Sequence, residues 1–160
     1  MDDTELIDKL LTRSEGKDLD FKSVPIVISN PKDKARFIKN LICMANTPRE
    51  GSAYIVCGVI YNKDGSKEIL GVSELDHPDD ADLHELVAGN VNPIPRFSYR
   101  PVPYSEKRIG ILEIDPSFLI GSEAERFYGE NAGNGVCLAK FHYFPSILPR
   151  KVLTAALSRC

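Results

Sequence analysis

The feature that most constrains the fold is an unbroken apolar run, SAYIVCGVI, at residues 52–60. A strand that is open to water on one side alternates apolar and polar residues, whereas a strand covered on both faces does not. The run therefore predicts a central strand that is buried between two layers. A turn signal, NKDG, follows at residues 62–65, and the segment EILGV at residues 68–72 predicts a return strand that completes a hairpin.

The other elements follow from the spacing of apolar residues and from capping signals. Asn30 and Pro31 suit the N-cap and the first turn of a helix, and the segment HPDD at residues 77–80 opens another helix. The elements predicted around the hairpin are helices over residues 3–11, 31–46 and 77–89, a strand over residues 18–22, and two further strands over residues 97–104 and 108–115.

The strand at residues 18–22, DLDFK, shows a strict alternation. Leu19 and Phe21 point to one side, while Asp18, Asp20 and Lys22 point to the other. The pattern predicts a half-buried strand that presents two carboxylates and one amine on its solvent-facing side.

The last third of the chain gives weaker signals. Residues 121–135 are polar and contain several glycines, which predicts a loop, and residues 136–144 form an apolar segment before a predicted helix at residues 146–157. Since the 160 residues contain no low-complexity linker and no internal repeat, we expect a single domain over residues 1–160.

The cysteines and the N-terminal sequence indicate a reduced, cytoplasmic environment. None of the four cysteines lies in a CxxC pair or near a histidine at zinc-ligand spacing. The segment MDDTELIDKL lacks the basic flank and apolar core of a signal peptide, and no apolar stretch approaches the roughly 18 residues of a membrane span. We therefore expect no membrane partner. A GxxxxGK[ST] phosphate-binding loop is also missing, so no nucleotide cofactor is indicated.

Charge is distributed unevenly along the chain, although the formal net charge is only -3. A nearly neutral total can hide one basic face, and positive side chains spaced along a groove bind the nucleic-acid backbone without reading its sequence. The alternative is a solvated helix face together with an edge strand that carries Lys and Arg against aggregation. The residues predicted to contact the backbone are Lys34, Arg36, Lys39, Arg96, Arg100, Lys107 and Arg108.

Several short motifs occur in an order that resembles one known family. The segment EGKDLDFK at residues 15–22 resembles the E-x-x-x-x-E-F-K entry of Schlafen AlbA_2 domains, and CMANT at residues 43–47 is similar to their AFANT signature. The further similar segments are GSAYIVCGV at 51–59, EILGV at 68–72, VNP at 91–93 and RIGILEID at 108–115. The resemblance marks a core at residues 13–115 and a C-terminal extension at residues 116–160.

The resemblance implies a mixed α/β (α+β) fold, with a mixed central sheet flanked by helices, and an association with DNA or RNA. In members that cleave structured RNA, acids of the E-x4-E motif and an acid after the GV strand hold a metal. By that resemblance, Glu15 and Asp20 are the expected ligands of Mg²⁺ or Mn²⁺. The third acid does not carry over, since Ile60 and Tyr61 occupy its place and Asp64 is the nearest substitute.

Convergent carboxylates beside a phosphate can hold a divalent ion that activates water and stabilises the leaving oxygen. Glu15, Asp18 and Asp20 are the candidate catalytic acids, and Lys22 is the candidate for stabilising a phosphate or orienting the water. The alternative interpretation is that these acids form the solvated face of an edge strand.

Three functions follow from these observations. The first is a nucleic-acid-binding domain, dimeric or part of a larger assembly, that contacts RNA or DNA backbone through a basic face. The second is a divalent-metal-dependent endoribonuclease acting on structured RNA. The third is a regulatory protein-interaction module with neither activity.

Overall fold

The computed structural model describes residues 2–91 and 94–116. Predictions for residues 92–93, for the loop at 121–135, for the segment at 136–144 and for the helix at 146–157 fall outside the described residues. The elements are the helices α1 (Asp3–Leu11), α2 (Pro31–Asn46) and α3 (Asp80–Ala88), a 3-10 helix (Glu74–Asp76), and the strands β1 (Leu19–Lys22), β2 (Ala53–Cys57), β3 (Val59–Tyr61), β4 (Lys67–Ile69), β5 (Phe97–Tyr104) and β6 (Lys107–Ile114).

The main sheet has four strands in the order β1-β2-β6-β5. Strands β1 and β2 run parallel, whereas β2 and β5 both pair with β6 in antiparallel fashion. A second sheet contains β3 and β4 as a two-stranded hairpin. The predicted fold class, a mixed α/β fold with a mixed central sheet flanked by helices, is therefore confirmed.

The apolar run at residues 52–60 forms two strands, and its prediction as one continuous strand is wrong. The run divides at Gly58, whose φ of 90° lies in the left-handed region. A Cβ at this position would lie 2.8 Å from the backbone carbon of Gly71. The carbonyl oxygen of Gly58 also accepts hydrogen bonds from the N–H groups of Leu70 and Gly71, at 2.8 and 2.9 Å. The close backbone approach redirects the chain from the main sheet into the hairpin.

Strand β2 is buried on both faces, as predicted for the first half of the run. Its residues Ala53, Ile55 and Cys57 pack in a core beneath α2 and α3. Val56 packs on the opposite face, in a second core with α1. The sheet therefore separates two apolar layers, and the side of the sheet on which a polar residue lies decides which helix it meets.

The helix signals are largely confirmed. The Asn30 side chain caps α2 by accepting hydrogen bonds from the N–H groups of Lys32 and Asp33, both at 3.0 Å. Helix α3 begins later than expected, because His77 follows the separate 3-10 helix and the N-cap is Asp79, which accepts from Ala81 N–H at 2.9 Å. No helix among the described residues is long and apolar enough to cross a bilayer.

Candidate nucleic-acid interface

The acidic strand β1 lies at one edge of the main sheet, and its predicted alternation is confirmed. Leu19 and Phe21 are buried in the core on the α1 side. Asp20 and Lys22 are half-buried and stand beside Ile55 and Cys57 of β2 in the parallel register. Since those β2 residues belong to the core under α2, Asp20 and Lys22 face the same side of the sheet as α2.

Each predicted catalytic acid is bound to a donor in the chain itself. Asp18 forms an ion pair with Arg13 at 2.6 Å, and Asp20 forms one with Lys22 at 2.7 Å. Glu15 accepts a hydrogen bond from the Phe21 N–H at 2.8 Å. Glu15 therefore covers a backbone donor on the outer edge of β1, which otherwise would be open to pairing with another strand.

The opposite edge of the sheet is covered in a similar way. On β5, the Tyr99 N–H donates to the Asp80 carboxylate at 2.6 Å, and Pro101 and Pro103 carry no N–H. The predicted homodimer is not tested by these contacts, but they disfavour its formation by simple extension of the sheet.

In the described ranges, the predicted acids do not belong to a larger group of potential metal ligands. Within the described ranges, 2–91 and 94–116, there is no group of three or more His, Cys, Asp or Glu side chains suited to a metal ion. Asp64, the substitute for the third acid, lies in the β3–β4 turn and accepts hydrogen bonds from the Ser66 hydroxyl and N–H at 2.6 and 2.9 Å. The hydrogen bond from the Ser66 hydroxyl has the larger effect, and together with the bond from the Ser66 N–H it lowers the pKa of Asp64. Both bonds stabilise the turn.

Cys57 beneath the acidic strand is a buried, unreactive thiol. Burial raises its pKa to about 12, and the negative charge of Asp20 adds to the effect. A thiol that remains protonated near neutral pH is a poor nucleophile. The prediction that Cys57 acts as a small apolar residue agrees with this environment.

The predicted basic residues Lys34, Arg36 and Lys39 all lie on α2. Helix α2 carries four basic side chains and one acidic side chain, a net charge of +3. Arg36 lies 3.8 Å from the Asp33 carboxylate and its side chain is 62% exposed. In the described part of the chain, Lys32, Lys34 and Lys39 form no ion pair.

Arg100 lies on the other side of the sheet, so the predicted residues do not share one basic face. It bridges Asp3 of α1 and Glu113 of β6, with both contacts at 3.0 Å. Burial tends to lower the pKa of Arg100, but the two carboxylates outweigh it and raise the pKa. The bridge ties α1 to the sheet, and Arg100 is a structural residue rather than a free cation.

The remaining predicted basic residues belong to β6 and to the segment before β5. At the β5–β6 hairpin, Lys107 donates to the Ile69 carbonyl at 2.6 Å, and Arg108 pairs with Glu74 at 3.3 Å. Arg96 is exposed just before β5. Spacing along the chain could not reveal this division, because the carboxylates that hold Arg100 and Arg108 come from segments distant in sequence.

The acidic strand and the basic helix meet at one small hollow. Lys22 of β1 and Arg36 of α2 both line it, and its volume is about 160 Å³. Asn40, one turn after Arg36, lines it too and was not predicted. The spacing of four residues from Arg36 on a predicted helix was the signal that could have identified it.

Comparison with known proteins places these elements in a family. The Schlafen AlbA_2 family model matches residues 15–132. No curated protein matches the chain significantly. A solved structure, the N-terminal domain of a RecG-related protein from Nitrosomonas europaea, has 19% sequence identity and a TM-score of 0.45, over 70% of this chain and 71% of that domain.

Proposed function

The chain belongs to the Schlafen AlbA_2 family, and from that premise we propose that it binds the sugar–phosphate backbone of RNA or DNA through the exposed side of α2. The observation that carries the proposal is the net charge of +3 on this helix, in a chain whose total charge is -3. Lys and Arg contacts to phosphates release counterions and supply most of the affinity for nucleic acid when sequence is not read.

The position of these basic side chains within α2 strengthens the proposal. Lys32 and Lys34 lie in the first turn of the helix, at its N-terminus, and Arg36 follows in the second turn. The helix dipole is positive at this end, so cations here oppose it and lower the stability of the helix. A cluster that costs helix stability, and that forms few ion pairs, is better explained by an anionic ligand than by the fold.

Binding to phosphates should be tested through its salt dependence, using the full chain and fluorescently labelled RNA and DNA. The Lys32→Gln/Lys39→Gln variant should lower the affinity and should reduce the slope of log K against log salt by about two, as expected for two lost phosphate contacts. The matched control is Lys9→Gln/Lys63→Gln, which removes the same charge from α1 and from the hairpin turn.

The control variant should keep the slope of the unmodified protein. A salt slope near zero for the unmodified protein, or an equal loss in the two variants, would remove α2 as the binding surface. Thermal unfolding of both variants checks that the fold is intact.

The metal-dependent endoribonuclease is a second proposal, with weaker support because the described acids are each bound to a donor. Its support is the E-x4-E spacing of Glu15 and Asp20 alone. It is tested by incubation with structured RNA, with and without Mn²⁺, read on a denaturing gel beside Asp20→Ala. The third proposal, a protein-interaction module, is what stands if neither binding nor cleavage is detected.

A further inference from the structure

The hollow between β1 and α2 is lined by apolar side chains and by a few charged ones. Val24 and Ile26 of the connecting segment face Phe37 of α2 across it, and the buried Cys57 contributes to its lining. Lys22 and Arg36 also line it, and their side chains are 39% and 62% exposed, so that their charged ends can reach solvent.

The volume of the hollow limits the size of an occupant. Sites for drug-sized ligands measure roughly 300–1,000 Å³, whereas this hollow measures about 160 Å³. An apolar cavity of about 150 Å³ accommodates benzene. The hollow is therefore large enough for a single aromatic ring and too small for a whole cofactor.

The hollow is lined by polar side chains of the kind that bind the edge of a nucleobase. The Asn40 amide offers two donors and an acceptor, and within the described part of the chain no hydrogen bond holds it. Asp33 also lines the hollow, and its carboxylate accepts a hydrogen bond from the Asn30 amide at 2.6 Å. Bases that leave the stack are recognised by hydrogen bonds to such edges and by apolar contact with their faces.

We infer that this hollow receives one unpaired nucleobase of a single-stranded RNA or DNA whose phosphates lie against α2. The inference rests on the proposed function, since the basic side chains of α2 would hold the phosphates that flank the inserted nucleobase. The bases of a duplex are stacked and paired, and inserting one requires it to leave the helix. The site therefore favours single strands over duplexes at equal phosphate number.

The test uses the full chain and three ligands with about the same number of phosphates, so that the duplex is half as long as the single strands. They are a uridylate dodecamer, the same strand with abasic sugars throughout, and an RNA duplex. The uridylate strand should bind about tenfold more tightly than the abasic strand, as expected for capture of one base. The Asn40→Leu variant, which keeps the side-chain size, should lose most of this difference without changing the affinity for the abasic strand.

The matched control is Asn62→Leu in the β3–β4 turn, which should keep the preference for bases. Equal affinity of the unmodified protein for the uridylate and abasic strands, with a steep salt slope for both, would overturn base capture and leave backbone binding intact. Salt-independent or undetectable binding of all three ligands would overturn both proposals. A base preference that Asn40→Leu does not reduce would place base recognition outside this hollow and overturn the inference.

Discussion

Helices α2 and α3 cover the same face of the sheet but carry opposite charges. Both contribute fully buried leucines, Leu41 and Leu83, to one core. Helix α2 has a net charge of +3, whereas α3 carries three acids and no Lys or Arg. The two helices therefore have a similar apolar side and differ in what they present to solvent.

The charges of α3 are explained by the helix itself, and those of α2 are not. Asp80 and Asp82 lie in the first turn of α3, where a negative charge interacts favourably with the helix dipole. Lys32 and Lys34 lie at the corresponding end of α2, where a positive charge is unfavourable. The comparison separates charge that the helix dipole explains, in α3, from charge that it does not explain, in α2.

The largest expected effect concerns the shared core. Leu41→Ala in α2 and Leu83→Ala in α3 should each lower the free energy of unfolding by about 2–5 kcal/mol, because both side chains are fully buried and leave a cavity. Urea unfolding followed by circular dichroism measures the loss. A much smaller loss for Leu83→Ala would show that α3 is packed less tightly than α2. The statement that the two helices have a similar apolar side would then be wrong.

A smaller effect, of opposite sign in the two helices, concerns the dipole. Lys32→Gln should raise the free energy of unfolding by about 0.3–1 kcal/mol, since it removes a cation from the N-terminal turn of α2. Asp82→Asn should lower it by a similar amount, since it removes a favourable anion from α3. Unfolding at low and high salt checks both, because screening should reduce each effect.

Measuring the nucleic-acid affinity of the same two variants sharpens the comparison between the helices. Lys32→Gln should gain stability while it loses affinity for nucleic acid, and Asp82→Asn should lose stability without a change in the salt slope. If Lys32→Gln lowered both quantities, Lys32 would be a structural residue and the argument from the dipole would be wrong.

The smallest expected effect is a pH dependence of folding stability, which arises from His77 on the side of the sheet that α3 covers. The His77 Nδ1 lies 2.6 Å from the Tyr99 hydroxyl, and its Nε2 is buried with no partner in the described part of the chain. Burial, followed by the charge of Arg108, lowers the pKa of His77 from its usual 6.5. The unfolded chain therefore takes up a proton more readily than the folded protein as pH falls through about 6.5, and stability decreases below that pH.

Hydrogen exchange of the α3 and α2 amides between pH 7 and pH 5, with the intrinsic rates taken into account, measures this effect. Amide protection should fall more in α3 than in α2. The reason is that Tyr99, whose hydroxyl contacts His77, also donates its N–H to Asp80 of α3. The His77→Asn variant should reduce the difference between the two helices. An unchanged difference in this variant would assign the pH dependence to other groups.

Local patterns predicted the elements because they depend on near neighbours along the chain. The Asn30 cap, the apolar positions of α2 and the alternation of Leu19 with Asp20 are visible in a few adjacent residues. The break at Gly58 was missed because an apolar run looks the same whether it forms one strand or two. The left-handed glycine and its contact with Gly71 become visible when residues distant in sequence meet.

The sequence by itself determined the family, the order of helices and strands, and the concentration of positive charge on α2. The tertiary structure decided which charges are occupied. Arg100 is held between Asp3 and Glu113, and Lys22 pairs with Asp20. In the described part of the chain, Lys32, Lys34 and Lys39 form no ion pair. The physical reason is that a charge is available or occupied according to its neighbours in space. Those neighbours are set by the register of the strands and by the face of the sheet on which each side chain lies.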